Sequence, residues 1–373
     1  MSAHEYFIGL LSGTSIDGVD CALVDFAHTP PQLVATHTET IPTSLYRAIL
    51  NLCTEEKVSL LELGETDIAL GRVFADAVNN LLAKSGVSHL DVLAIGSHGQ
   101  TIKHHPYGEY PFTQQIGDPN TIASLTGICT IADFRRKDMA AGGQGAPLAP
   151  MFHQSYFANP AGRRAILNLG GIANISLLRH GDHPLIGFDT GPSNVLMDSW
   201  ICAKQELAFD NKGEWARSGT VNQSLLSLLM AEPYLQLPSP KSTGRELFNS
   251  VWLGEKLSHF DHLPDADVQA TLLEFTARSI AESVNWQQEQ IVAIYVCGGG
   301  AKNTYLIERL QELLAPIPVA SSLEAQLDPQ WVESMMFAWY ARNAWYGDPV
   351  DTRSVTGAHK ICIHGALYEV SSD

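Results

Sequence analysis

Two stretches of this chain, residues 6–41 and 165–189, each read as three short β-rich runs in quick succession, followed by alternating helices and strands. Short connections between successive strands favour antiparallel pairing, so each group is a predicted meander. In the first, residues 6–11 end at a Ser-Gly-Thr-Ser turn, residues 19–26 form the second run and the Thr-rich residues 32–41 the third. In the second, residues 165–169 and 172–178 flank a Gly170-Gly171 turn, and residues 185–189 follow. Three strands, then helix and strand, twice over, imply an α/β protein of two related domains facing each other across a cleft. At 373 residues the chain also exceeds what one hydrophobic core organises.

The remaining pattern fills in the two halves. Residues 60–84 carry Leu63, Phe74, Val78 and Leu81 at helical spacing, although Gly64 and Gly71 argue against one unbroken helix. Short strands are predicted at 92–95 and 129–133, with a helix opened by Pro119 between them. In the second half, helices are predicted at 193–204, 266–283, 302–314 and 329–344, with an apolar strand at 291–297. Residues 134–150, FRRKDMAAGGQGAPLAP, show no sustained period and read as a loop that is functional or a linker. The first domain is accordingly placed at residues 1–133, the second at 134–344, and a C-terminal segment of about 345–373 returns to the first.

Charge limits the partners. There are 40 Asp and Glu residues against 23 Lys and Arg, a formal net of -17, and no basic stripe offsets it. Nucleic acid and anionic membranes are excluded on that ground, but a small phosphate ligand met by backbone amides and a metal ion is not. Six scattered cysteines with no C-x-x-C pair read as small buried hydrophobes. The first residues lack the basic region of a signal peptide, and no apolar run approaches a membrane span, so a cytoplasmic protein is expected.

Three Gly-rich turns follow apolar strands: Gly13-Thr14-Ser15-Ile16-Asp17-Gly18, Asp189-Thr190-Gly191-Pro192-Ser193-Asn194 and Gly298-Gly299-Gly300-Ala301. Each is either a tight turn or a cradle for phosphate oxygens, and two occupy equivalent places in the repeated pattern, which favours a nucleotide site. No lysine follows a glycine, which removes a Walker loop; the Gly298 triplet lacks the continuation of a dinucleotide fingerprint; there is no H-E-x-x-H. His259 and His262 read as exposed helix-end residues rather than zinc ligands. Asp189 ends an apolar strand just before a Gly-rich turn, where a carboxylate either takes a proton beside bound phosphate or caps the helix that follows.

Together these residues carry a resemblance. Gly9-Leu10-Leu11-Ser12-Gly13-Thr14-Ser15-Ile16-Asp17-Gly18-Val19-Asp20 resembles the opening signature of the anhydro-N-acetylmuramic acid kinase family. Similar matches follow in order at residues 96–101 (GSHGQT), 133–138 (DFRRKD), 142–148 (GGQGAPL), 168–174 (NLGGIAN) and 187–192 (GFDTGP). Departures are slight: Leu11 where Met is frequent, and Ser193 where Gly or Ala is usual.

The resemblance implies the actin, sugar kinase and Hsp70 superfamily: two related, ribonuclease H-like α/β domains flanking a nucleotide-binding cleft, with ATP and Mg²⁺ as cofactors. It implies that 1,6-anhydro-N-acetylmuramic acid is hydrolytically opened and phosphorylated on O6 during peptidoglycan recycling, and that the protein is a homodimer. By that analogy Asp189 is the catalytic base. Gly13, Thr14, Ser15, Ile16, Asp17, Gly18, Val19 and Asp20 would grip phosphate from the first domain, and Thr190, Gly191, Pro192 and Asn194 from the second. Asn168, Gly170 and Gly171 belong to the nucleotide site as well, and Gly298, Gly299, Gly300 and Ala301 would lie against adenosine. Asp17 or Asp20 would order Mg²⁺. His98, Arg135, Arg136 and Glu333 are candidates for the sugar, with a structural His98, a solvated basic turn and a solvent-facing Glu333 as the alternatives. An ordinary sugar or acid kinase, a phosphatase of the same fold, or a filament-forming actin-like protein are the competing readings. A sugar-responsive repressor lacks a basic helix-turn-helix extension.

Overall fold

The structure, a computed structural model, describes residues 4–13, 16, 18–239, 241–285 and 291–370. These group into two compact units. The first runs to Phe152 and resumes at Trp331, and the second is His153–Gln330.

In the first unit, β1 (Tyr6–Ser12), β2 (Gly18–Asp25) and β3 (Gln32–Thr40) form the antiparallel meander that their short connections predict. β4 (Val92–Ser97) adds parallel to β1, and β7 (Thr130–Ala132) parallel to β4. Between these two lies a hairpin of β5 (Gln100–His105) and β6 (Phe112–Ile116), which forms its own sheet. In the second unit, β8 (Arg163–Leu169), β9 (Ile172–Leu177) and β10 (Ile186–Pro192) form the second meander. β11 (Ile291–Cys297) and β12 (Val319–Ser321) then add in parallel beside β8. The last strand, β13 (Ala366–Tyr368), closes the first sheet against β7.

The sheet orders are β13-β7-β4-β1-β2-β3 and β10-β9-β8-β11-β12. Counted within each sheet, both contain the order 3-2-1-4-5, a meander extended by two parallel strands. This is one α/β arrangement built twice, as the repeated sequence pattern predicts.

Each sheet is covered by helices whose apolar stripes explain their position. Helix Leu60–Ser85 runs unbroken through Gly64 and Gly71. It buries Leu70, Phe74, Val78 and Leu81 in the core with β1 and β2, which outweighs about 1 kcal/mol per glycine. Ser59 caps its start, and Gly86 ends it with φ of 72°. Helix Val332–Tyr346 packs against β1 and β4, where a methyl group on Gly9 or Gly96 would overlap the carbonyl oxygens of Ser334 or Phe337. Two glycines thus let this helix lie against the strand backbones. In the second unit, helix Asp265–Asn285 is buried along most of its length and packs against β10 and its neighbouring helices.

Two readings of the sequence need correction. Residues 134–150 are not one loop: Phe134–Ala140 is helical, and a second helix starts at Ala149. Residues 134–152 and 331–344 also group with the first unit rather than the second. The buried Asp138 explains this, since it accepts hydrogen bonds from Thr352 Oγ1 at 2.6 Å and Thr356 Oγ1 at 2.9 Å in the C-terminal segment. The carbonyl of Leu148 likewise accepts from the Tyr340 hydroxyl at 2.9 Å.

Candidate active site

In the first unit, candidate residues lie at the ends of β1, β2 and β4. Ser12 closes β1 with a buried hydroxyl that has no hydrogen-bond partner among the described residues. Gly13 accepts from the amide of Ile16 at 3.2 Å. The side chains of Ile16 and Val19 are part of the core, which leaves only their backbone groups to a ligand. Gly18 opens β2, and Asp20, opposite Leu11, accepts from Thr38 Oγ1 at 2.6 Å. Thr14, Ser15 and Asp17 lie outside the described residues.

Beyond β4, His98 and Arg135 form a unit. The His98 ring stacks on Phe337 with centroids 4.6 Å apart. His98 Nδ1 faces the Gly99 carbonyl at 3.0 Å, and Nε2 receives the Arg135 Nε–H at 2.8 Å. A carbonyl only accepts and a guanidinium only donates, so the ring is the Nδ1–H tautomer. Burial, then the Arg135 charge, hold its pKa well below the ordinary histidine value. Arg135 also donates to the Gly145 carbonyl at 3.0 Å. Burial lowers the Arg135 pKa, while Glu333 acts in the opposite direction. Glu333 itself is exposed in the first turn of its helix. Arg136 points away, 57% exposed and paired with Asp133 at 3.3 Å, as in a solvated basic turn.

In the second unit, Asn168, Gly170, Gly171, Asn194 and Gly298–Ala301 come together at the carboxyl ends of β8 and β11. The Asn194 side chain donates to the carbonyls of Leu169 and Gly170 at 3.1 and 2.8 Å, while its amide donates to Gly170 at 3.1 Å. Gly298 has φ of 80° and lies so close to Asn168 that a methyl group there would overlap Asn168 Oδ1. Gly300 abuts Leu169, with 2.7 Å between a built Cβ and that of Leu169. Ser193, at the head of helix Asn194–Gln205, has a second buried hydroxyl without a partner among the described residues.

Asp189 occupies β10 at a register shift that carries the chain from Asn174 opposite Asp189 to Ala173 opposite Gly191. Thr190 turns inward, fully buried, and donates to the Ala173 carbonyl at 3.2 Å. Gly191 has φ of 147°, and Pro192 is buried opposite Ile172. Asp189 does not cap the following helix, whose N-cap is Ser193. Its Oδ2 instead accepts from the Thr243 amide at 3.0 Å. Burial pushes the carboxyl up to about 6; the Thr243 amide and Lys241 pull it down, and Glu246 pushes it up. A half-buried carboxylate of that kind titrates near working pH and suits proton acceptance.

The sequence reading did not single out Lys241, Thr243 or Glu246, although the polar Lys-Ser-Thr-Gly-Arg-Glu run at residues 241–246 was there to see. It also passed over Asp198, which burial pushes to about 7 against the opposing effect of Arg245, with Asp210 adding to the rise. His259 and His262 are exposed in the turn between helices Ser250–Leu257 and Asp265–Asn285. Among the described residues no group of three or more His, Cys, Asp or Glu side chains converges to hold a metal.

Comparison with known proteins adds the following. The family model for anhydro-N-acetylmuramic acid kinase matches residues 5–370. The protein of that name from Shewanella amazonensis is 51% identical over 366 residues, covering 98% of this chain and 99% of its own. The one from Shewanella sp. (strain MR-4) is 50% identical over 363 residues, covering 97% and 98%. Among solved structures, component A of the (R)-2-hydroxyglutaryl-CoA dehydratase of Acidaminococcus fermentans aligns over 92% of this chain and 99% of its own, at 12% identity and a TM-score of 0.47.

Proposed function

The chain belongs to the anhydro-N-acetylmuramic acid kinase family and is an ATP-dependent kinase of cell-wall recycling, and we propose that it opens the sugar ring in the same reaction. Water adds to the anomeric carbon of 1,6-anhydro-N-acetylmuramic acid while Asp189 takes a proton from that water. The C1–O6 bond breaks, its electron pair stays on O6, and O6 forms a bond to the γ-phosphorus of ATP as the bond to the departing ADP breaks. The products are N-acetylmuramic acid 6-phosphate and ADP. The observation that carries this reading is the Asp189 carboxyl, held by one backbone amide and raised to about 6.

Phosphate fits the turns on both units. Each places a buried hydroxyl without a partner among the described residues, Ser12 or Ser193, beside glycines at a strand end. We assign phosphate contacts to Gly13–Asp20 and to residues 190–194, and adenosine to Asn168, Gly170, Gly171 and residues 298–301. Mg²⁺ takes one or two carboxylates plus phosphate oxygens and water, and Asp20 or Asp17 would supply that carboxylate. When bound, the ion neutralises charge on the transferring phosphoryl group. Of the adjacent arginines, Arg135 is the one we assign to the sugar, supported by its burial and its fixed bond to His98; Glu333 stands beside it as a second candidate.

Among the described residues no helix is long and apolar enough to cross a membrane. We place the reaction in the cytoplasm, supported by six cysteines without a disulfide, and read the enzyme as a homodimer on the family resemblance.

The test is turnover with ATP, Mg²⁺ and the anhydrosugar in ¹⁸O-water, with the product analysed by mass spectrometry. One ¹⁸O on C1 of the phosphorylated product is expected. A phosphorylated sugar that keeps its 1,6-bridge would overturn ring opening.

A further inference from the structure

Tyr234, Lys241 and Thr243 hold Asp189 by three different groups. The Tyr234 hydroxyl donates to the Asp189 carbonyl at 2.8 Å. The Asp189 amide donates to the Lys241 carbonyl at 3.1 Å, and the Thr243 amide donates to the carboxylate at 3.0 Å. Lys241 also ties this stretch to itself. Its ammonium donates to the carbonyls of Leu235 and Tyr234 at 2.9 and 3.3 Å and lies 4.9 Å from the Tyr234 ring centroid. Position and charge are thus supplied by one side chain: the bonds that set the loop on which Thr243 and Tyr234 ride are made by a cation close to Asp189.

We propose that Lys241 is a positioning residue for Asp189, fastening Tyr234 and Thr243 around it and holding a positive charge beside the carboxylate. The inference rests on Asp189 being the base. Among the described residues, Lys241 and Glu246 act on Asp189 by charge, in opposite senses. Burial lowers the pKa of Lys241, and Asp189 opposes that shift, as two partners in one buried site do. Without the ammonium, the carboxyl keeps its burial and Glu246, opposed among the described residues by the Thr243 amide. It would then hold its proton to a higher pH.

The experiment is the pH profile of kcat/KM for the full-length enzyme and its Lys241→Met, Lys241→Gln, Lys241→Arg and Asp189→Asn variants, with ATP, Mg²⁺ and the anhydrosugar. Lys241→Met is expected to move the acidic limb upward by about one pH unit, with KM for ATP unchanged. Lys241→Arg is expected to return the limb towards its wild-type position. Should the methionine variant fail to fold, Lys241→Gln keeps a donor for the two carbonyls without the charge and is expected to show the same shift. A limb at its wild-type pH in the folded Met or Gln variant, with Asp189→Asn inactive, overturns the role of Lys241 alone. Full activity in Asp189→Asn overturns the base reading and this inference with it.

Discussion

Arg135 Nε donates to His98 Nε2 at 2.8 Å, and this bond defines the chemistry of both residues. With Nδ1–H committed to the Gly99 carbonyl, the histidine has no proton to give on the side of the arginine. It is a neutral prop, and Arg135 is the group it aims.

His98→Phe is therefore expected to raise KM for the anhydrosugar roughly tenfold or more, because a buried charged donor left without its acceptor loses about 1.5–3 kcal/mol. His98→Gln, whose amide oxygen replaces the acceptor, should restore much of that loss. Since the histidine pKa lies well below its ordinary value, the pH profile of the glutamine variant should match that of the parent. Steady-state kinetics in sugar and in ATP separately decide the matter: an equal rise in both KM values would contradict a role confined to the sugar.

Asp189→Asn should lower kcat by about 10²–10⁴, the usual worth of a positioned base. The parent should gain activity as pH rises through about 6, where its carboxyl loses a proton. Stability should run the opposite way. The folded carboxyl binds its proton more tightly than the unfolded one, so its ionisation imposes a stability penalty that is absent below pH 3.8 and complete above about 6. Thermal unfolding at pH 8 should thus show the inactive variant to be the more stable protein, with the difference gone near pH 3.5.

Gly9→Ala and Gly96→Ala each set a methyl group against backbone, the carbonyls of Ser334 and Phe337. No rotamer change relieves such an overlap, so helix Val332–Tyr346 must move off the sheet. A cost of about 3 kcal/mol or more is expected from urea unfolding, at the upper end for overpacking. Gly64→Ala faces open space in an exposed helix position and should instead stabilise by a few tenths to about 1 kcal/mol.

The meanders were legible because their information is local: β-rich runs with short connections pair as neighbours. Helix Leu60–Ser85 was legible too, but its continuity through Gly64 and Gly71 was not, since that depends on the burial of Phe74 and Val78 against strands elsewhere in the chain. Helix Phe134–Ala140 was hidden for a similar reason. It has little apolar periodicity of its own and is held by Asp138, whose partners Thr352, Thr356 and His364 lie more than 200 residues away. The strand end and the turn announced Asp189, whereas Lys241 and Thr243 reach it from over 50 residues on. Local pattern identifies where a carboxylate stands; only the fold says what surrounds it.

Asp138 gives the last prediction. It is fully buried, with its carboxylate receiving Thr352 and Thr356 hydroxyls, the Gly145 amide at 2.8 Å and His364 Nε2 at 3.5 Å. Burial opposes its ionisation, but His364, Thr352, Gly145 and Thr356 together outweigh that and hold its pKa below the ordinary value. Folding thus lowers the pKa, and the resulting stability is present above the unfolded value of 3.8 and lost as pH falls through the folded one. Asp138→Ala takes the acceptor from the Thr352 hydroxyl and the Gly145 amide, while the Thr356 hydroxyl keeps the Thr352 carbonyl at 3.1 Å, so a loss of about 3–5 kcal/mol is expected, as when one partner of a buried charged cluster is removed. Asp138→Asn keeps the shape and should cost less, while flattening the loss of stability below pH 4. Because Gly145 also accepts from Arg135, the folded asparagine variant should raise KM for the sugar without affecting ATP. Denaturation curves at several pH values, joined to the same kinetics, test both halves: unchanged acid stability in Asp138→Asn would mean that this carboxylate is not what ties the C-terminal segment to the Gly145 loop.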